Sequence, residues 1–390
     1  MLEYLRLRNV GPAPETEIHL APRLNLLTGD NGLGKSFLLD VAWWSLTRRW
    51  PAEVNPGITS GLMARPSGRG PASIAFSFQG KSKRPSYESK FDRKAQAWTG
   101  RVGRPGNPGL VLYAQVDGGF SVWDPARNYW RTRDGVDVQE RQPAFVFTAR
   151  QVWDGLPEAA PKLCNGLITD WALWQKESGA SFSVLKAALE KMSPSKAELL
   201  IPGPLRKLSL DDARVFPTIH MPYGEDVPVT MASAGIRRIL ALTYLLVWAW
   251  QEHLDASELL DQKPTDQVTF LIDEVESHLH PRWQRTIVAA LLEVMHALAT
   301  QAAVQLICAT HSPLVMASVE ALFDAGKDKW FDLDLVPRHG TSTVELVERD
   351  FVRQGDVSHW LTSQAFDLPS ARSIEAEQIL EEAKAAGRGT

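Results

Sequence analysis

Short, continuously apolar runs mark the most informative strands of this chain. Leu24–Leu27, Val268–Ile272 and Leu306–Thr310 are each mostly apolar, and polar residues that can carry chemistry follow each run. This pattern is typical of strands buried on both faces, as in a parallel sheet covered by helices. The sequence therefore predicts an α/β fold with a mixed or parallel core sheet.

Other segments have a different period. Residues 74–78 alternate between apolar and small or polar side chains, and Leu110–Val116 is separated from Phe120–Trp123 by an Asp-Gly turn. Alternation and short glycine turns indicate antiparallel strands and hairpins. We therefore predict an antiparallel β-lobe over residues 71–148.

The remaining pattern is helical between Leu163 and Leu200 and again near the carboxyl end. In the tail, an apolar cluster that includes Trp360 precedes a helix that Ser373 would cap. This helix would either dock on its own domain or serve as a handle for a partner protein. We predict one composite domain with a P-loop part (1–70), the β-lobe (71–148), a helical lobe (149–215), a second core part (216–350) and the tail helix (351–390).

A glycine-rich loop lies between a predicted strand and a predicted helix. Gly29–Ser36 fits G-x-x-x-x-G-K-[ST] without a mismatch. In this motif the backbone N–H groups surround phosphates, the lysine adds a positive charge, and the hydroxyl is placed to bind Mg²⁺. Lys35 and Ser36 are therefore candidate ligands of a nucleotide and its metal ion.

Two later runs supply the rest of a hydrolytic site. Val268–Ile272 ends in Asp273-Glu274, and the run up to Thr310 is followed by His311. Asp273 would hold Mg²⁺, Glu274 would polarise the attacking water, and His311 would contact the γ-phosphate. Ser233 would cap a further helix, and Gly235 would allow a ligand close to that helix start, where an anion is favoured.

Composition agrees with a cytoplasmic globular protein. The chain has 390 residues, 44% of them apolar, and a net charge of −4, which gives no overall attraction to nucleic acid or an anionic membrane. Two cysteines and no predicted secretory signal indicate a reducing compartment. No apolar run is long enough to span a bilayer, so we expect no membrane association.

Together, these motifs resemble the ABC-type ATPase heads of SMC, RecF and OLD (overcoming lysogenization defect) proteins, a group that includes ATPase subunits of prokaryotic antiphage systems. The resemblance rests on the P-loop, the signature Ser233–Arg238, Phe270–Glu274, the D-loop-like Glu276–Pro281 and His311. It implies a P-loop NTPase fold, ATP and Mg²⁺ as cofactors, and a homodimer or higher oligomer in which two heads enclose two ATP molecules. Val275 departs from the family, where proline often follows the catalytic glutamate.

The resemblance also implies a role for each matching residue. Catalysis would fall to Glu274 and His311, and the metal would be held by Ser36 and Asp273. Nucleotide contacts would come from Asn31, Gly32, Gly34, Lys35, Ser36 and Phe37, and, across the dimer, from Ser233 and Gly235. The family also has a metal-sensing glutamine after a core strand, for which Gln151 is our first choice and Gln175 the alternative.

Two further segments have alternative interpretations. Residues Lys81–Arg104 are basic with interleaved aromatic side chains, so they would either bind nucleic acid or form a solvated face of the β-lobe. Asp332-Leu333-Asp334 resembles the D-x-D of a TOPRIM nuclease, but the surrounding pattern favours a closing hairpin. We therefore expect the effector, a nuclease or toxin, to be a separate protein.

The predicted function is an ATP-gated sensor or clamp, the ATPase subunit of an antiphage complex. A RecF-like repair clamp that grips duplex DNA is the main alternative. An ABC transporter cassette is a weaker one, because the signature departs from LSGGQ and the β-lobe insertion is large.

Overall fold

The computed structural model describes residues 1–80, 84–100, 104–156, 163–338, 341–366 and 368–387, and its centre is an eight-stranded sheet. In spatial order the strands are β11 (Ala144–Phe147), β8 (Phe120–Trp123), β7 (Leu110–Ala114), β15 (Gln267–Ile272), β16 (Ala303–Ala309), β3 (Leu24–Gly29), β17 (Asp328–Arg338) and β18 (Thr341–Arg349). The five strands from β7 to β17 run parallel, and antiparallel strands complete both ends. The predicted mixed α/β fold is confirmed.

A second, antiparallel sheet contains β2 (Glu15–His19), β1 (Leu2–Arg8), β4 (Ser73–Phe78), β5 (Ser86–Asp92) and β6 (Ala97–Trp98). The predicted β-lobe over 71–148 is therefore divided among three sheets, since residues 129–133 and 136–141 pair with each other in a separate two-stranded sheet. Its first half pairs with β1, whereas β7 pairs in parallel with β15 and carries β8 and β11 with it. The hairpin of β7 and β8 was predicted, but the long-range pairing of β7 has no local signal.

Helices and small strands fill the rest of the chain. The helices are α1 (Lys35–Thr47), α2 (Pro51–Val54), α3 (Ala149–Asp154), α4 (Leu167–Glu177), α5 (Ala180–Lys191), α6 (Ala234–Leu259), α7 (Pro281–Gln284), α8 (Ile287–Leu298), α9 (Pro313–Val319), α10 (Val357–Leu361) and α11 (Ile374–Gly387). The small strands are β9 (Tyr129–Arg133), β10 (Val136–Arg141), β12 (Ile201–Pro202), β13 (Thr218–His220) and β14 (Asp226–Pro228). The predicted helical lobe over 149–215 is helical up to α5 and then continues into a three-stranded sheet.

Each central strand contributes to two hydrophobic cores, one on each face of the sheet. Leu271 packs in the core that contains α1 and the antiparallel sheet, whereas Phe270 and Ile272 pack in the core with α6 and α8. This alternation explains why the strands are continuously apolar. Although α6 has 26 residues, the described part of the chain contains no helix that is long and apolar enough to cross a membrane.

The segment that resembled a nuclease motif lies inside the sheet. Asp332 is buried in β17, opposite Val347 of β18. Its Oδ1 accepts a hydrogen bond of 2.7 Å from Thr28 Oγ1, and Arg349 Nη2 lies 3.3 Å from its Oδ2. The interpretation as a closing hairpin is confirmed, because this carboxylate is engaged in holding β17 and β18 to the core.

The tail has two parts with different environments. Trp360 in α10 is fully buried, and its ring lies 5.7 Å from that of Trp330 and 5.4 Å from that of Phe351. In α11, by contrast, Ile374 and Ile379 are exposed. The docking that was predicted for the terminal helix is therefore not seen at these residues of α11, whereas Trp360, which precedes that helix, is packed in the core. The use of α11 as a handle for a partner stays a prediction.

We predict that Trp360→Ala lowers the free energy of unfolding by about 3–5 kcal/mol, since it removes a fully buried ring. It also removes the 2.6 Å hydrogen bond from Trp360 Nε1 to Glu320 Oε1. Leu368→Ala is the matched control, because Leu368 is 45% exposed and its loss should change stability by no more than about 0.5 kcal/mol. Urea unfolding checks both, and equal losses would contradict the assigned role of Trp360.

Candidate active site

The glycine-rich loop follows β3 and leads directly into α1. Gly29 has φ 127°, and a Cβ there would lie 2.3 Å from Leu333 O, so only glycine fits beside β17. Lys35 is buried, and its Nζ donates to Gly29 O at 2.6 Å and to Asp30 O at 2.9 Å. Burial lowers the pKa of Lys35, with Asp273 acting in the opposite direction. The amine is thus held across a preformed loop.

The other predicted loop residues have different surroundings. Asn31, Gly32 and Ser36 are exposed, and Gly32 and Gly34 both have positive φ. The ring of Phe37 packs against Gly11, so that a Cβ on Gly11 would lie 2.5 Å from Phe37 Cε1. Phe37 therefore has its ring directed towards the segment after β1, which leaves its backbone at the helix start for any contact with phosphate.

The acidic pair leaves the sheet beside this loop. Asp273 is buried, its N–H donates to Ala114 O at 3.0 Å, and its carboxylate accepts a hydrogen bond from Ser36. Burial raises the pKa of Asp273, while the bond from Ser36 opposes the rise. Glu274 is half-buried and has φ 43°, a left-handed conformation that glutamate seldom adopts. The turn after β15 therefore holds Glu274 in a strained orientation.

Glu276 connects the acidic turn to the end of β16, a role that our sequence analysis did not assign to it. Its carboxylate accepts a 2.8 Å hydrogen bond from Thr310 Oγ1 and another from the backbone N–H of His311. His311 is half-buried, and burial, followed by the nearby Lys35, lowers its pKa. His311 is consequently neutral at physiological pH and can donate or accept a hydrogen bond beside the loop.

A glutamine at the end of β7 occupies the position that we had assigned to Gln151. Gln115 directly follows β7, the neighbour of β15, and its fully buried side-chain amide has no hydrogen-bond partner among the described residues. Gln151 follows β11, three strands away from β15, where its Oε1 accepts from Thr148 N at 2.9 Å and from Asn55 Nδ2 at 2.7 Å. The apolar residues before Gln115 marked its strand in the sequence, but no local pattern showed that this strand pairs with β15.

The alternative glutamine has a structural role. Gln175 Nε2 donates to Gly203 O at 2.8 Å, and its Oε1 accepts from Trp171 Nε1 at 3.1 Å. These bonds hold α4 to the segment after β12. The geometry therefore favours Gln115 over both residues that the sequence suggested.

The signature segment forms the start of α6. Ser233 is exposed, and its Oγ accepts from Ile236 N at 3.4 Å, which makes it the predicted N-cap. A Cβ on Gly235 would lie 2.7 Å from His278 O, so Gly235 allows the D-loop-like segment to approach α6 within the same chain. The position of Gly235 therefore has an explanation inside one subunit, in addition to the predicted contact across a dimer.

Arg238, one turn after the signature serine and glycine, reaches back to the acidic turn. It is buried, and its Nη1 donates to Gln115 O at 3.0 Å. Burial lowers the pKa of Arg238, and Asp273, Asp117 and Glu274 oppose this shift. The helix that presents Ser233 is thus anchored to the same edge of the sheet as the P-loop.

The donors at this edge fit a magnesium nucleotide. Asp273 Oδ1 is buried without a hydrogen-bond partner among the described residues, and the Ser36 hydroxyl lies against the same carboxylate. A hydroxyl and a carboxylate are hard oxygen ligands of the kind that Mg²⁺ uses when it keeps several waters and binds phosphate. Lys35 and the N-terminus of α1 supply the positive side of a phosphate site.

The basic segment is described only in part, since Lys81, Lys83 and Arg101 lie outside the described residues. Arg93 donates to the carbonyl groups of Gly68 and Gly70, and Arg104 pairs with Asp137 at 3.2 Å. Part of the charge is therefore used within the lobe. The predicted nucleic-acid contact at Lys81–Arg104 stays a prediction.

Comparisons with known proteins support an ATPase domain. The family model described as "AAA domain, putative AbiEii toxin, Type IV TA system" matches residues 24–317. The retron Vc95 probable ATPase of Vibrio cholerae serotype O1 biovar El Tor is 49% identical over 115 residues, which cover 28% of this chain and 21% of that protein. The match thus spans about a fifth of the relative's length.

Two solved structures are also similar in fold. An Smc head bound to the C-terminal winged-helix domain of ScpA has a TM-score of 0.46 and 15% identity, over 89% of this chain and 98% of that one. An Smc head with an extended coiled coil, bound to the C-terminal domain of ScpA from Pyrococcus furiosus, has a TM-score of 0.42 and 14% identity, over 89% and 96%.

We predict that Lys35→Ala weakens ATP binding about 10- to 100-fold, because charge-assisted hydrogen bonds to phosphate contribute about 1.5–3 kcal/mol. Isothermal titration calorimetry measures the change. Lys94→Ala removes an exposed lysine far along the chain and should leave the affinity unaltered. Unchanged binding by Lys35→Ala would contradict the assignment of the loop.

A second prediction separates the two glutamines. Gln115→Ala should lower the rate of ATP hydrolysis about tenfold and raise the Mg²⁺ concentration needed for half-maximal rate, since its amide is unpaired and it directly follows Ala114, whose carbonyl accepts from Asp273 N. Gln151→Ala should leave the rate and the Mg²⁺ requirement within about twofold. It should lower the free energy of unfolding by about 0.5–2 kcal/mol, because it removes a capping hydrogen bond at the start of α3. Steady-state kinetics over a magnesium titration measures both variants. A larger loss of rate in Gln151→Ala than in Gln115→Ala would contradict the choice of Gln115.

Proposed function

Since the chain belongs to the AAA domain family whose model spans residues 24–317, it is an ATPase, and we propose that it works as an ATP-gated sensor or clamp. The proposal is carried by the connection between the exposed start of α6 and the sheet edge at the carboxyl ends of β3, β7, β15 and β16, where the candidate ATP site lies. We call this edge the nucleotide edge. Ser233 is exposed at the N-terminus of α6, and Arg238 in the next turn is buried against Gln115. A change in the bound nucleotide would therefore move the start of α6, which is exposed and can contact a second subunit.

We assign hydrolysis to a small set of residues. Asp273 and Ser36 would hold Mg²⁺, which would neutralise charge on the phosphates. Glu274 would accept the proton of the attacking water, and its strained backbone keeps the carboxylate at the end of β15. His311, which Glu276 fixes through the backbone, would orient the γ-phosphate together with Lys35.

We further propose that two copies share their ATP sites. An exposed helix start with a serine cap can bind an anion through free N–H groups and the helix dipole. Among the described residues, the hydrogen bond of the Ser233 hydroxyl is the one with Ile236 N of the same cap. Ser233 and Gly235 would thus contact the γ-phosphate held by the other subunit.

The comparisons support a proposal for the biological role. The relative is a probable ATPase of a retron, and the description of the family model includes a toxin–antitoxin system. We propose that this chain is the ATPase subunit of an antiphage complex, with a nuclease or toxin on a separate polypeptide. The hairpin of β17 and β18 supports a separate effector, because the D-x-D carboxylate Asp332 is used structurally.

We predict that Glu274→Gln binds ATP, stops hydrolysis and accumulates a dimer visible by light scattering. Adding Ser233→Arg to this variant should remove the dimer and preserve nucleotide binding, since bulk and positive charge are introduced only at the shared surface. Glu258→Arg, which introduces the same bulk and charge at an exposed position near the other end of α6, is the matched control. Dimers that persist with Ser233→Arg would refute the shared site.

Mixing single variants provides the complementary measurement. Ser233→Arg and Lys35→Ala proteins should each hydrolyse ATP poorly alone, whereas a mixture contains dimers with one site formed by intact Lys35 and intact Ser233. Activity should therefore return in the mixture in proportion to the mixed dimer. If Ser233→Arg alone hydrolyses ATP normally as a monomer, the two-headed mechanism is wrong for this chain.

A further inference from the structure

A cavity of about 500 Å³ lies between the C-terminal end of α1 and the antiparallel sheet. Its walls carry five large aromatic side chains from three parts of the chain: Trp44, Trp50, Tyr87, Trp98 and Trp130. α1 has 13 residues, so its two ends are about 20 Å apart at ~1.5 Å per residue. The cavity is therefore separate from the P-loop, which lies at the opposite end of the same helix.

The aromatic walls are held in fixed orientations. Trp44 and Trp50 stack with centroids 5.3 Å apart and an interplanar angle of 15°, and Trp98 lies 6.0 Å from Trp44. All three are at least nine-tenths buried, and Trp98 Nε1 donates to Ala64 O at 3.0 Å. Rigid rings of this kind offer stacking and edge contacts to a flat ligand without a loss of side-chain entropy.

A half-buried cation lines the same space. The Arg48 guanidinium lies over the rings of Phe76 (4.5 Å), Tyr87 (4.8 Å) and Trp44 (4.9 Å). Its Nη1 is buried with no hydrogen-bond partner among the described residues, and burial lowers the pKa of Arg48 to about 10. At that pKa the group is still charged at neutral pH. A buried N–H of a cation without an acceptor is unfavourable, so an anion or an acceptor atom in the cavity would stabilise it.

Two other charged groups face the cavity. Glu53 accepts a 3.4 Å hydrogen bond from Trp50 N, and Arg104 at the rim pairs with Asp137. A purely apolar occupant, such as a lipid chain, would leave the Arg48 guanidinium unpaired. A flat heteroaromatic ring with an attached anion uses both the rings and the cation.

We propose that this cavity binds a nucleobase together with its phosphate, with the base against the tryptophans and an acceptor atom or phosphate at Arg48. Base–aromatic stacking and arginine contacts are the interactions by which proteins bind single-stranded nucleic acid and nucleotides. The volume lies in the range of small-molecule sites. The ligand would be either a free mononucleotide or an unpaired base of a single strand, and it would be additional to the ATP of the P-loop.

Binding is measured with the full-length chain. A fluorescein-labelled 12-nucleotide oligothymidylate is titrated by anisotropy, with the same length of duplex for comparison, and AMP is titrated by tryptophan fluorescence in the Lys35→Ala variant to remove the P-loop site. Arg48→Gln should weaken binding of the responding ligand about tenfold or more. Lys196→Gln removes an exposed charge that lies outside both the cavity and the basic segment Lys81–Arg104, and it should change the affinity less than about twofold. Equal effects of the two variants would overturn the proposal.

Photo-crosslinking keeps the test independent of a folding defect in Arg48→Gln. The wild-type chain is irradiated with a 5-iodouracil oligonucleotide, and the Lys35→Ala variant with 8-azido-AMP, and modified peptides are identified by mass spectrometry. Crosslinks of the oligonucleotide at Tyr87, Trp98 or Trp130 would support a single-stranded ligand, and crosslinks of the azido-nucleotide alone would support a free mononucleotide. Crosslinks by neither probe at these rings would disprove the cavity as a nucleobase site.

Discussion

The parallel pairing of β15 with β16 is the constraint on which the catalytic edge depends. Ile272 lies opposite Cys308, so the two strands end at the same level of the sheet. Asp273 and Glu274, which follow β15, therefore lie near His311, which follows β16. Glu276 then closes this edge with hydrogen bonds to Thr310 Oγ1 and to the N–H of His311. Together with the 3.2 Å hydrogen bond from Val275 N to Ala309 O, this carboxylate links two chain segments that are about 35 residues apart, at the edge that we assign to phosphate chemistry.

The same edge concentrates charges that burial disfavours. Burial lowers the pKa of Lys35 and Arg238 and raises that of Asp273 and Glu276. Groups of opposite sign oppose the shifts of Lys35, Arg238 and Asp273, whereas hydrogen bonds from the His311 N–H and the Thr310 hydroxyl oppose that of Glu276. Such preorganised, partly desolvated charges interact strongly with a ligand that carries several charges of its own. This is the physical reason to expect a metal–phosphate complex there.

The sequence predicted the parts of the site that are continuous along the chain. The P-loop and the acidic pair follow apolar runs, and their strands were found where the runs lie. Gln115 was missed because its strand β7 gave only the local signal of a hairpin, while its pairing with β15 connects residues more than 150 positions apart. Arg238 was recognised as part of the signature, but its burial depends on how α6 crosses the sheet, which no local pattern encodes.

The cavity at the other end of α1 shows the same limit. Tyr87 and Trp98 belong to the basic segment with interleaved aromatic side chains, whereas Trp44 lies in the helix predicted after the glycine-rich loop. Only the packing of β4, β5 and β6 against α1 brings these rings around Arg48. Helix α1 begins at Lys35 of the P-loop, and Arg48 directly follows its last residue. One helix therefore fixes the distance between the P-loop and the aromatic cavity. A ligand in the cavity would therefore contact the same element that forms the phosphate site, without sharing any residue with it.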